Sequence, residues 1–151
     1  MPVWEDPLGV VRVAYNAPAY LRSRHGIEGA DAQLTTVANA LAALESAAPV
    51  NVPIVVEHDT NAGRVGLDLD PTKLVVFGNP SLGTGLMRTD QSVALDVPQK
   101  ILVTRTGADP TVITWNDPHW VARRHGVTGQ RELLDTLSGA LADFASVGAG
   151  P

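Results

Sequence analysis

His58, Asp59 and Asn61 bring an imidazole, a carboxylate and a carboxamide together within four positions. These are the groups that a proton-transfer or ligand-holding site needs. As chemistry, His58 reads as a base or a ligand contact oriented by a carboxylate. As architecture, Asp59 caps a short helix and His58 is a polar residue at a strand end. Neighbours along a strand point to opposite faces, so in that setting the two side chains would not pair. A second chemical signal is Gly78-Asn79-Pro80-Ser81-Leu82-Gly83-Thr84-Gly85, with Met87 just beyond. It follows a strand-like run and precedes a helical one, the setting in which backbone amides hold anions. It lacks both the Gly-Lys-Ser/Thr ending and the Gly-x-Gly-x-x-Gly spacing, so nucleotide binding by those routes is unsupported. A tight turn with special backbone angles fits the run, and an anion or polar ligand at Thr84 and the amides around it stays open. The candidate ligand-binding set is therefore His58, Asp59, Asn61, Asn79, Thr84 and Met87, with no metal and no identified catalytic residue.

Other reactive types point to structure. His25 and His125 each sit in Arg-His-Gly, where a helix closes and basic side chains face its last carbonyls. His119 precedes His125 by six positions, which is not the i, i+4 spacing that aligns two metal ligands on a helix. No Gly-x-Ser-x-Gly elbow is present. The absence of cysteine removes thiolate nucleophiles, disulfides and Cys-ligated zinc together. Trp4, Trp115 and Trp120 with Tyr15 and Tyr20 read as core or interface aromatics. The formal charge of −5 gives no long-range pull toward phosphate backbones or anionic lipids. No apolar run approaches the ~18 residues that cross a bilayer, and the first six residues do not read as a secretory signal. The expectation is a cytoplasmic protein with no cofactor, no nucleic-acid partner and no membrane partner.

The elements that would position these residues come in two similar sets. Residues 1–45 align with 101–145 without a gap, with about a dozen identities that include Asn16 with Asn116, Arg24-His25-Gly26 with Arg124-His125-Gly126, and Leu41 with Leu141. In each copy a hairpin leads into Asn-x-Pro, a short helix, Arg-His-Gly and a longer helix. Val10 to Tyr15 and Thr111 to Trp115 read as strands. Asp117 before Pro118 is a helix cap with proline at the first helical position. Leu134, Leu137, Leu141 and Phe144 recur at helical spacing, as do Leu34, Val37, Leu41 and Leu44, with Asp31 and Thr128 as the expected caps. In the unduplicated middle, Ile54 to Asp59 alternates like a strand, a short helix covers 61–65, and Leu74 to Phe77 is the most apolar strand, expected at the sheet centre. Two short helical pieces, 82–87 and 92–95, stop at Val97-Pro98. Helices on one face of a mainly antiparallel sheet make this a single α+β domain.

These residues resemble a known family. The stretch Val56-Glu57-His58-Asp59-Thr60-Asn61-Ala62-Gly63-Arg64-Val65-Gly66-Leu67-Asp68-Leu69-Asp70-Pro71-Thr72-Lys73-Leu74 is similar to the domain of unknown function 302 family, as is Phe77-Gly78-Asn79-Pro80 through Met87. Asp96-Val97-Pro98 and Trp115-Asn116-Asp117-Pro118 match two further family segments, and the likeness runs over about 31–147. Gly85 stands where members often carry proline, which loosens the loop before Met87. The resemblance implies a TATA-binding-protein-like α+β fold, seen as a dimer, without an established activity. Members in tandem make residues 1–30 look like the last hairpin of a preceding copy, or like the opening strand of the one complete domain. Function then divides three ways. A dimeric module binding a small molecule or an anion comes first; an enzyme with His58 as general base and Asn79 steadying negative charge comes second. The third is an interaction protein that uses the surplus N-terminal hairpin as a free sheet edge.

Overall fold

The computed structural model describes residues 3–5, 10–14, 51–107 and 111–148. The first Asn-x-Pro, Arg24-His25-Gly26, the Asp31 cap and the Leu34–Leu44 stripe lie outside the described residues, as do Tyr15, Tyr20 and the turns within both hairpins. Elements run β1 (Val3–Glu5), β2 (Val10–Ala14), β3 (Asn51–Glu57), α1 (His58–Arg64), β4 (Thr72–Gly78), α2 (Pro80–Met87), a 3-10 turn (Gln91–Leu95), β5 (Gln99–Thr104), β6 (Val112–Asn116), α3 (Pro118–Arg124) and α4 (Arg131–Gly148). The strands form one sheet in the order β1-β2-β6-β5-β4-β3, antiparallel throughout. The α+β architecture expected from the sequence is the one observed.

Strand alternation sets the faces. Val75 and Phe77 on β4, Ile101 and Val103 on β5, and Ile113 and Trp115 on β6 are buried, while the residues between them are half-exposed. The buried parity lies under the helices, as the two-residue repeat of a strand requires. Leu134, Leu137, Leu141 and Ala145 on α4 are buried in turn. Phe144 meets Phe77 edge-on, with ring centroids 5.5 Å apart, a favourable arrangement of ring quadrupoles.

Three expectations are corrected. The strand before His58 stops at Glu57, so His58 and Asp59 belong to α1; Asp59 turns back toward Lys73, with Oδ1 3.7 Å from Nζ. Strand β4 lies between β5 and the edge strand β3 rather than at the sheet centre. The long helix starts at Arg131, not after a Thr128 cap, because Gly129 adopts φ +74° and cannot sit inside a right-handed helix. The N-terminal hairpin joins the same sheet: β2 pairs with β6, with Val13 opposite Ile113. Other signals hold. The Asp117 carboxylate accepts from the amides of His119 (3.0 Å) and Trp120 (2.9 Å), and Gly126 at φ +66° ends α3.

Candidate functional site

Strand β4 ends at Gly78, where a Cβ would stand 3.1 Å from Pro98 Cβ. Glycine lets the segment after the 3-10 turn close down on the strand end without Pro98 having to shift. Asn79 then caps α2: its Oδ1 accepts from Ser81 N at 2.9 Å, and Pro80 occupies the first turn. Pro80 has no N–H, Ser81 N–H is taken by the cap, and Gly83 N–H donates to Asn79 O at 3.0 Å. The glycine-rich run is thus a capped helix start with few amides left for an anion.

Past this cap a cleft of ≈ 410 Å³ opens between α2, the 3-10 turn, the Val97-Pro98 segment and α4. Small-molecule sites span roughly 300–1,000 Å³. Of the expected set, Asn79, Thr84 and Met87 line it. The floor is Leu86 and Leu137, both part of a buried cluster with Val93, Ala122, Val127 and Leu134. Gln99, at the start of β5, also lines the cleft and is 8% exposed. It makes no side-chain hydrogen bond to another described residue.

The rest of the expected set lies elsewhere. Asn51 faces Gly78 and Glu57 faces Lys73 across β3 and β4. His58, Asp59 and Asn61 therefore sit at the opposite end of β4 from Asn79, about 20 Å away at ~3.3 Å per residue. There Lys73, buried, pairs with Glu57 Oε1 at 2.5 Å, and Arg64 Nη1 donates to Asn61 Oδ1 at 3.0 Å. An enzyme needing His58 and Asn79 in one cavity has no counterpart in this geometry.

A polar node holds the cleft wall instead. His125 Nε2 lies 2.6 Å from Asp96 Oδ2, and Nδ1 lies 2.8 Å from Ser92 Oγ. Nε2 faces the Asp96 carboxylate, which accepts, and Nδ1 bonds the Ser92 hydroxyl. Arg124 Nη1 adds a contact to Asp96 at 3.3 Å. The set has the composition of a nucleophilic triad. However, the Ser92 amide is spent on Asp90 Oδ1 (2.8 Å), which places a second carboxylate where a developing oxyanion would need donors. Its visible work is to tie the 3-10 turn to the end of α3. Asp90 is held below the ordinary carboxylate range by the Ser92 hydroxyl first, then the Ser92 amide, with the His125 charge a smaller influence. Lys100, which donates to Asp96 O (2.8 Å) and Pro98 O (3.0 Å), is pushed down by burial, against the pull of Asp96.

The family model for the domain of unknown function DUF302 matches residues 35–144. The chain belongs to the DUF302 family. A crystal structure of an uncharacterized conserved DUF302 protein from Bacillus stearothermophilus superposes with a TM-score of 0.72 at 15% identity, covering 92% of this chain and 97% of that one; the DUF302 likeness there is one of fold. Over 78 residues the chain is 41% identical to fluoride-specific ion channel FluC 1 of Brucella suis biovar 1 (strain 1330), over 52% of this chain and 31% of the relative. The same identity relates it to FluC 1 of Brucella abortus biovar 1 (strain 9-941), with 29% of that relative covered. The chain thus spans less than a third of the curated relatives it matches.

Two elements of the DUF302 site escaped sequence reasoning. Gln99 stands at the buried parity of a strand otherwise filled by Ile101 and Val103, a visible polar interruption that strand alternation could have exposed. The Ser92–His125–Asp96 node joins residues 29 and 33 positions apart, and local spacing carries no trace of it.

Proposed function

We propose that this DUF302 chain is a dimeric small-ligand-binding module, with the cleft between α2 and Pro98 as its binding site. The observation that carries this reading is a cleft of ≈ 410 Å³ at the end of a sheet strand, walled by an anchored turn and lined by Asn79, Thr84 and Met87. Apolar lining with a few polar groups is the usual make-up of such sites. Pairing of two copies is supported by Val65, Leu67 and Leu69, three exposed aliphatics in one loop, and by the two hairpin copies in the sequence, which we read as a true internal repeat. The cysteine-free, acidic composition supports a cytoplasmic site of action. No helix among the described residues is long and apolar enough to cross a membrane. We therefore read the stretch shared with the fluoride channels as an extramembrane appendage of those relatives, not as their pore.

Methionine provides the test. The sequence contains only Met1 and Met87, so methyl-labelled methionine gives two NMR signals, one of them in the cleft. Toluene is expected to shift the Met87 methyl in a saturable way and leave Met1 unmoved; an unresponsive Met87 across apolar probes would end the ligand reading. Sedimentation analysis should give twice the chain mass, and a monomer at high concentration would remove the dimer.

A further inference from the structure

Resting on the cleft reading above, we infer that Gln99 selects the ligand's chemical class: a neutral, largely apolar molecule carrying a carboxamide or a similar donor–acceptor pair. Gln99 lies opposite Phe77 on β5, so its side chain shares the helix-covered face, and it is more than nine-tenths buried. It lines the cleft, and its amide meets no described hydrogen-bond partner. Its amide atoms are not among the sealed, unpartnered polar atoms of the described residues; they open to the cleft that Gln99 lines, the direction from which a partner can arrive. A carboxamide offers two donors and one acceptor, which another amide matches with one bond each way.

The described lining favours an uncharged ligand. Among the described residues no lysine, arginine, aspartate or glutamate lines the cleft, so an ionised ligand would shed its water there without gaining a counter-charge from them, a heavy cost in an apolar site. Asn79 Oδ1 is already occupied as the α2 cap, and Thr84 is exposed at the rim. Gln99 is therefore the polar group positioned to read a ligand deep in the cleft, with Leu86 and Leu137 beneath the apolar body.

The test uses the full chain and three probes of similar size, benzamide, toluene and benzoate, followed at the Met87 methyl. Benzamide and toluene should bind and benzoate should not. Replacing Gln99→Leu should lower the ratio of benzamide to toluene affinity about tenfold, the combined effect of one hydrogen bond lost and one unpaired amide removed. Retained toluene binding by the variant shows that the cleft is still formed; if Gln99→Leu does not fold, Gln99→Met gives the same comparison. An unchanged ratio, or benzoate binding as well as benzamide, overturns the role of Gln99 while leaving the cleft reading intact. Silence of Met87 toward every probe overturns both.

Discussion

Asp117 shows how much one carboxylate can organise. It is 8% exposed and accepts from two helix-start amides, with Arg123 Nη2 3.9 Å away. Asp117→Ala should cost about 1–2 kcal/mol of unfolding free energy in urea titrations, the upper part of the range for a lost cap. His125 is the more demanding position. Its side chain is 6% exposed and removing it strands the Asp96 carboxylate, so His125→Ala should cost about 2–3 kcal/mol. Ser92→Ala, which deletes an exposed hydroxyl, should cost well under half of that in the same titration. The sign at Asp90 follows from its lowered folded-state pKa. Such a carboxylate contributes stability that is present above its unfolded value and is lost as pH falls through the folded one. The difference between wild type and Asp90→Asn should be full at pH 7 and shrink below about pH 4; a difference that grew in acid would contradict the assignment.

At the scale of elements, the cleft exists because two segments approach where no side chain intervenes. Gly78→Ala puts a methyl 3.1 Å from Pro98 Cβ, and with the turn anchored by His125 the wall has little freedom to retreat. The substitution should destabilise the chain by about 1–3 kcal/mol, as overpacking does, and weaken toluene binding at Met87. Local signals at this scale were legible: Asp117-Pro118 announced α3, Gly126 ended it, and the leucines of α4 marked its buried stripe. What failed was local logic where a distant partner decides. Alternation from Ile54 continues through Asp59 in the sequence, yet Lys73, sixteen positions beyond Glu57, draws Glu57 and Asp59 together at the strand end. His125 looked like a helix-closing residue and is also the anchor of a turn that precedes it by some thirty positions.

Across the whole molecule, stability should follow burial on one side of the sheet. Leu141, 1% exposed, should cost about 2–5 kcal/mol when cut to alanine. Leu95, 78% exposed, should cost under about 0.5 kcal/mol, and calorimetry on both variants separates the two. The layer arrangement was readable because apolar periodicity reports which face is covered. The division of the expected site was not, since Asn79 and His58 flank one strand from opposite ends and only the β3–β4 register reveals their separation. That same accounting of partners gives the pairing of Val13 with Ile113 a consequence for stoichiometry. This one pair, numbered a hundred apart, marks the crossing about which a half-turn carries β1–β2 onto β5–β6. The same rotation carries β3, β4 and the hollow beside Pro98 onto ground for which the chain encodes no second set. Residues 51–100 occur once in the sequence, and titration should saturate at one guest per polypeptide.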